Sequence, residues 1–157
     1  MKQQGVTLIQ MMFGLAMAAL LTQLGMPAYA KLSDDLHRAA AARDLAQALR
    51  SARSQAVVVQ SLDNDWGKGW RVLLEHNQQL LREYRLARPQ RVKANIGSQV
   101  KFSALGVPLG KSNNLSGGRL EVCERSSATS RHRVVLATSG RVSLRTDELK
   151  KSLCAGR

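Results

Sequence analysis

VTLIQMMFGLAMAALLTQLGMPAYA, residues 6–30, is the stretch on which the fold turns. No charged residue occurs between Lys2 and Lys31, and Val, Leu, Ile, Met, Phe and Ala dominate the interval. As a helix the run is long enough to cross a bilayer, which takes roughly 20 apolar residues. A secretory signal peptide is the competing reading, with an Ala-x-Ala site at Ala28-Tyr29-Ala30. Against it, the basic region ahead of the run is a single lysine, and the run exceeds the usual ~7–15 residues. Lys2 before the span and mixed charges after it fit an N-terminus in the cytoplasm and the remainder outside.

The helical pattern outlasts the span. Leu32, Leu36, Ala39, Ala42, Leu45, Leu49, Ala52 and Ala56 recur at steps of three or four, the one-sided stripe of an amphipathic helix packed on a head. Asp34, Asp35, Arg38, Arg43, Asp44, Arg50 and Arg53 occupy the other side, a solvated face of mixed sign. The spacing predicts one helix from Val6 to about Val59. Its exit loop is expected at Asp63-Asn64-Asp65 and the glycines that follow. Gly25-Met26-Pro27 lies inside it, and a kink or local melting is expected there because proline removes a backbone donor and clashes with the preceding turn.

Of 157 residues, the apolar leader leaves about 100 for a soluble part, enough for one small core. Aromatics are only 4% of the chain, so that core must rest on Leu, Val and Ala. Strands are predicted around Trp66–Leu74 and Leu80–Tyr84, a hairpin turning at His76-Asn77-Gln78. Further strands are predicted at Val100–Phe102, Leu120–Cys123, Val134–Leu136 and Val142–Leu144. The organisation expected is a leader over 1–5, a membrane or filament-core half-helix over 6–30, an amphipathic half-helix over 31–60, a β-rich head over 61–146 and a basic tail over 147–157.

Gly5-Val6-Thr7-Leu8-Ile9-Gln10 resembles the prepilin signal of type IV pilins and type II secretion pseudopilins. The resemblance implies prepilin peptidase cleavage between Gly5 and Val6 and N-methylation of Val6. Such chains carry a proline at mature position 22, and counted from Val6 that position is Pro27. Two residues depart from the pattern: Val6 stands for the usual Phe, and Gln10 for the usual Glu. The resemblance implies that the Glu pairs with a neighbour's N-terminal amine in lipid, where an ion pair has few competitors; Gln offers only a neutral hydrogen bond. Gln10 and Pro27 are therefore the expected filament-docking residues. The head is similar to the GspH/FimT/FimU group of minor pilins and pseudopilins. It shares the Trp66-Gly67-Lys68-Gly69-Trp70 start of the hairpin, Phe102-Ser103-Ala104-Leu105-Gly106 and Gly140-Arg141-Val142. The implied fold is α+β and type IV pilin-like, one long N-terminal helix packed on a small antiparallel β-sheet head. The implied setting is a single pass of the bacterial inner membrane with the head in the periplasm, or a place in or at the tip of a pilus.

Cys123 and Cys154 are the two cysteines, and an exported chain is expected to join them, two free thiols being the alternative. A loop of about 30 residues closed in this way stabilises by roughly 3–4 kcal/mol in the chain-entropy account.

The formal net charge of +13 points to a polyanion or an acidic membrane surface as partner. Two segments hold most of it. Residues 82–101 carry six cations against Glu83; residues 119–157 carry nine against four carboxylates. Within the group this head resembles, some FimT proteins bind DNA through a C-terminal Gly-Arg-x-Arg motif. Here Gly140 and Arg141 match it, Ser143 stands at the second arginine, and Arg145 follows on the same strand face. The surplus charge and strand alternation, together with the motif resemblance at Gly140-Arg141, make Arg141, Arg145, Arg131, Arg133, Lys150 and Lys151 the candidate DNA contacts. Any such binding is expected to be sequence-independent and salt-sensitive, because neither a base-reading helix nor stacked aromatics are evident. A solvated surface or contact with anionic lipid is the alternative role for these arginines. A structural role, priming or capping a pilus or pseudopilus beside other minor pilins, is the alternative function.

An enzyme is not expected, and no cofactor or metal is implied. His37, His76 and His132 lie apart in the sequence pattern. Asp63-Asn64-Asp65 lacks the distal glutamate of a calcium loop and reads as a helix-ending turn. Gly67 and Gly69 precede a strand, not a helix N-terminus that could cradle phosphate.

Overall fold

The computed structural model describes residues 7–55, 57–110, 117–124, 129–147 and 152–155. The chain divides into two compact units, residues 1–36 and 37–157.

Helix α1 runs over Leu8–Gln55 with Pro27 inside it and continues unbroken through that position, so the expected local melting is absent. In the first unit its side chains stand exposed, Leu8, Ile9, Phe13, Leu21 and Leu24 among them. This part is long and apolar enough to cross a membrane. At the start of the helix the Thr7 N–H donates to Gln10 Oε1 at 3.2 Å, one half of a capping box. Leu32 and Leu36, expected on the packed stripe, are 59% and 61% exposed.

In the second unit the stripe buries Ala41, Ala42, Leu45, Ala46, Ala48, Leu49 and Ala52. Five of these seven are alanines, so most of the apolar bulk of the core comes from the strands. The helix ends before Val57 and not near Val59. Three successive β-branched residues favour extended backbone, and Val58–Leu62 forms strand β1. Asp63 and Asn64, both at positive φ (49° and 59°), make a two-residue hairpin turn, since Asp and Asn tolerate the left-handed region this turn demands. The turn therefore joins two strands, in place of the helix exit expected from the sequence.

Strands β2 (Asp65–Leu73) and β3 (Leu80–Arg85) follow, then β4 (Arg91–Ala94), β5 (Gln99–Phe102), β6 (Pro108–Leu109), β7 (Gly118–Cys123), β8 (His132–Leu136) and β9 (Val142–Arg145). They build two antiparallel sheets, ordered β3-β2-β1-β5-β6 and β4-β7-β8-β9. Strands β1, β4 and β6 have no counterpart in the sequence reading. The inner faces of both sheets and the helix stripe share one core, in which Trp70, Phe102, Leu45, Leu49, Leu120 and Leu136 are the large sealed side chains. Trp66 is buried too, and its Nε1–H donates to the Gly97 carbonyl at 2.8 Å.

Candidate nucleic-acid interface

The four-stranded sheet shows its chemistry on the side away from the core. Leu120 and Val122 on β7, Val134 and Leu136 on β8 and Val142 on β9 are buried. With a period of two, Arg119, Glu121, Arg133, Ser143 and Arg145 must face the other way. The register aligns one row across all four strands: Lys93 opposite Glu121, Glu121 opposite Arg133, and Arg133 opposite Arg145. At about 4.8 Å per strand, Lys93 and Arg145 stand roughly 14 Å apart.

Arg141 owes its position to a tight turn. The Gly140 N–H donates to the Ala137 carbonyl at 2.9 Å, and the Ala137 N–H to the Arg141 carbonyl at 2.9 Å. Gly140 adopts φ 80°, and a Cβ on it would lie 2.0 Å from the Gly106 carbonyl oxygen, so only glycine fits. Arg141 and Arg145 are both exposed and, four strand residues apart, about 13 Å from one another.

Two of the expected contacts are not free for a ligand. Arg133 is 6% exposed and ion-paired to Asp147, held between Glu121 on one neighbouring strand and Arg145 on the other. This corrects the expectation that it presents a guanidinium to phosphate: its charge is already used inside the fold. Arg131, just before β8, is exposed but engaged by other groups of the chain. Gly5, Val6, Lys150 and Lys151 lie outside the described residues. Pro27 is exposed on the helix, as is Gln10, whose carbonyl oxygen serves the cap of its own chain.

Glu121 is the residue the sequence reading missed. It sits on the outward face yet is 0% exposed, because the C-terminal segment folds over it. Ser152 Oγ donates to Glu121 Oε2 at 2.6 Å and the Leu153 N–H to the same oxygen at 2.8 Å. Arg119 Nε stands 3.2 Å from Oε1. Two residues along, Cys123 is joined to Cys154 with their Cα atoms 5.6 Å apart. A 3-10 turn, Leu153–Ala155, is thereby pinned over β7 and β4, and Arg91 Nη2 reaches the Cys154 carbonyl at 3.5 Å. A charged residue inside the apolar run Leu120–Cys123 was the available signal, but only the register reveals its neighbours.

The outward carboxylate is thus covered, while Lys93, Arg141 and Arg145 remain exposed and Arg119 half-exposed. Asp147 stays ionised to lower pH than an ordinary aspartate. A backbone hydrogen bond is the larger cause, with Arg133 and Arg145 adding to it and desolvation opposing. Among the described residues no three His, Cys, Asp or Glu side chains gather as metal ligands.

One long N-terminal helix with an antiparallel β head is the type IV pilin-like fold. The minor pilin FimU of Pseudomonas aeruginosa shares it: one crystal form aligns with a TM-score of 0.61 at 20% identity, over 76% of this chain and 98% of that one. A second crystal form of FimU gives 0.58 at 20% identity, over 71% and 97%. The sequence model of the family described as Type II transport protein GspH matches residues 41–140, and the chain belongs to that family. None of the curated proteins matches significantly.

Proposed function

We propose that this chain is a FimT-like minor pilin whose head binds DNA without sequence preference, for uptake in natural transformation. The observation that carries the reading is the outward face of the four-stranded sheet. Lys93 and Arg145 stand exposed there about 14 Å apart, Arg141 lies about 13 Å from Arg145 along the strand direction, and the one carboxylate in the row from Lys93 to Arg145 is sealed beneath the C-terminal segment. Phosphates along a strand are met by such spacing, and guanidinium groups grip phosphate oxygens in bidentate fashion. Prepilin peptidase cleaves between Gly5 and Val6, and Val6 is then methylated. The apolar half of α1 holds the chain in inner-membrane lipid, or among other pilins through Gln10 and Pro27, with the head in the periplasm.

The test is duplex binding by the full-length chain in detergent micelles, measured by gel shift across a salt series. Arg141→Gln with Arg145→Gln is expected to lower affinity at least tenfold and to flatten the log–log salt slope by about 2, since each neutralised phosphate adds roughly 0.9 to that slope. Salt-insensitive binding, or an unchanged affinity in the double variant, overturns the reading.

The fold shared with FimU favours a second reading, a structural subunit that primes or caps a pilus or pseudopilus. Deleting the gene separates the two. Lost DNA uptake with pili intact supports the first; lost pili or lost secretion supports the second.

A further inference from the structure

Strands β2 and β4 start out together and then part. The Gln90 N–H donates to the Gly67 carbonyl at 2.9 Å, and the Gln90 carbonyl lies so close that a Cβ on Gly67 would sit 1.8 Å from its oxygen. Beyond that point β4 turns to the four-stranded sheet and pairs with β7 alone. A cleft of about 570 Å³ opens between them. All of β4 forms one wall, Asn64, Asp65 and Trp66 the other, and Gly97 and Ser98 the end.

The free edge of β4 faces this cleft. Asn95 donates its N–H to the Arg119 carbonyl on the β7 side, at 3.2 Å, whereas Gln90 donates its own to β2. Backbone groups alternate in direction along a strand, so Arg91 and Lys93 bond toward β7 while Val92 and Ala94 aim their N–H and C=O into the cleft. Among the described residues no backbone hydrogen bond from the Val92 or Ala94 amide to a turn or loop takes up that edge. Unpaired edges of this kind template the addition of a strand.

We propose that this cleft receives an extended segment of a different, acidic protein, which adds as a further strand beside β4. Its main chain pairs with Val92 and Ala94. Its side chains alternate: one set turns inward toward the half-buried Val92 and Ala94, the other outward beside the exposed Arg91 and Lys93. The outward set is therefore acidic and the inward set small and apolar. A second copy of this chain does not match, because its net charge is +13 and it holds no run alternating carboxylates with apolar residues. The inference is independent of DNA binding.

The test uses the full-length chain in micelles and a blocked five-residue peptide alternating glutamate with valine. Isothermal titration measures affinity, and ¹⁵N shifts locate the site. Binding is expected to move the Val92 and Ala94 amides most. A peptide of the same sequence with its alternate pairing amides N-methylated is expected to bind at least tenfold more weakly. Ala94→Pro, which removes only the donor facing the cleft, is expected to do the same while leaving duplex DNA affinity unchanged. Lys93→Glu is expected to weaken the peptide several-fold. No binding, shifts centred elsewhere, or equal affinity for the methylated peptide overturns the proposal. So does concentration-dependent self-association that Ala94→Pro abolishes, which assigns the edge to a second copy.

Discussion

Glu121 and the Cys123–Cys154 bridge hold the same C-terminal segment against the sheet, and that shared task makes their energies interdependent. The bridge closes a separation of 31 residues, and replacing both cysteines by serine is expected to cost about 4 kcal/mol in the chain-entropy account. Glu121→Gln keeps the shape but removes the charge that accepts from Ser152 and Leu153 and faces Arg119. Breaking a buried, charge-assisted set of this kind is expected to cost about 3 kcal/mol. With the bridge intact the segment cannot leave, so the substituted amide remains buried with poorer partners. Without the bridge the segment can lift away and water replaces it. The glutamate substitution then costs less, and the triple variant should be more stable than the sum of its parts implies by at least ~1 kcal/mol. Guanidinium unfolding of the full-length protein in micelles measures this. Trp66 and Trp70, 4% and 1% exposed in the core, report the transition by fluorescence. Additivity within about 0.5 kcal/mol would refute the shared-latch reasoning. A cost below ~1 kcal/mol for losing the bridge would refute the entropy argument beneath it.

Other outcomes follow from single contacts. Gly67→Ala pushes a methyl into the Gln90 carbonyl, a backbone atom that cannot move alone, and is expected to destabilise by ~2–4 kcal/mol in the same unfolding assay. Gly140→Ala strains a left-handed turn and crowds the Gly106 carbonyl; it should lower the thermal midpoint by several degrees and also weaken DNA binding, because the turn aims Arg141. Leu49→Ala removes a side chain that is 0% exposed in the shared core, at an expected ~2–5 kcal/mol. The depressed Asp147 titration means that its contribution to stability is fully present above the ordinary aspartate value, near pH 4, and is lost as pH falls below it through the depressed folded value. Thermal midpoints measured between about pH 2 and 6 should therefore vary less steeply at the acid end in Asp147→Asn than in the parent chain.

Much of this architecture was legible as pattern. An uncharged run over residues 6–30 fits few structures other than a long apolar helix, and steps of three and four through Ala42, Leu45, Leu49 and Ala52 show which side of it packs. Strands β2, β3, β5, β7, β8 and β9 follow from alternation and β-branched content, and the bridge from an even cysteine count. Where local pattern was ambiguous, tertiary contacts decided. Val57–Val59 could extend a helix or open a strand, and pairing of β1 with both β2 and β5 makes it a strand. Four-residue β4 is too short and too charged to announce itself, and only pairing with β7 defines it.

The candidate site divides along the same line. Arg141 and Arg145 are placed by period and by a glycine turn, both local properties of the chain. The fate of Arg133 and Glu121 is not local, since it depends on which residues of three other strands and of a segment about 30 positions away come to lie against them. A charge on an outward strand position is exposed by default. Here a disulfide brings the chain back over it, and a residue that looks like surface becomes the buried anchor of the C-terminus.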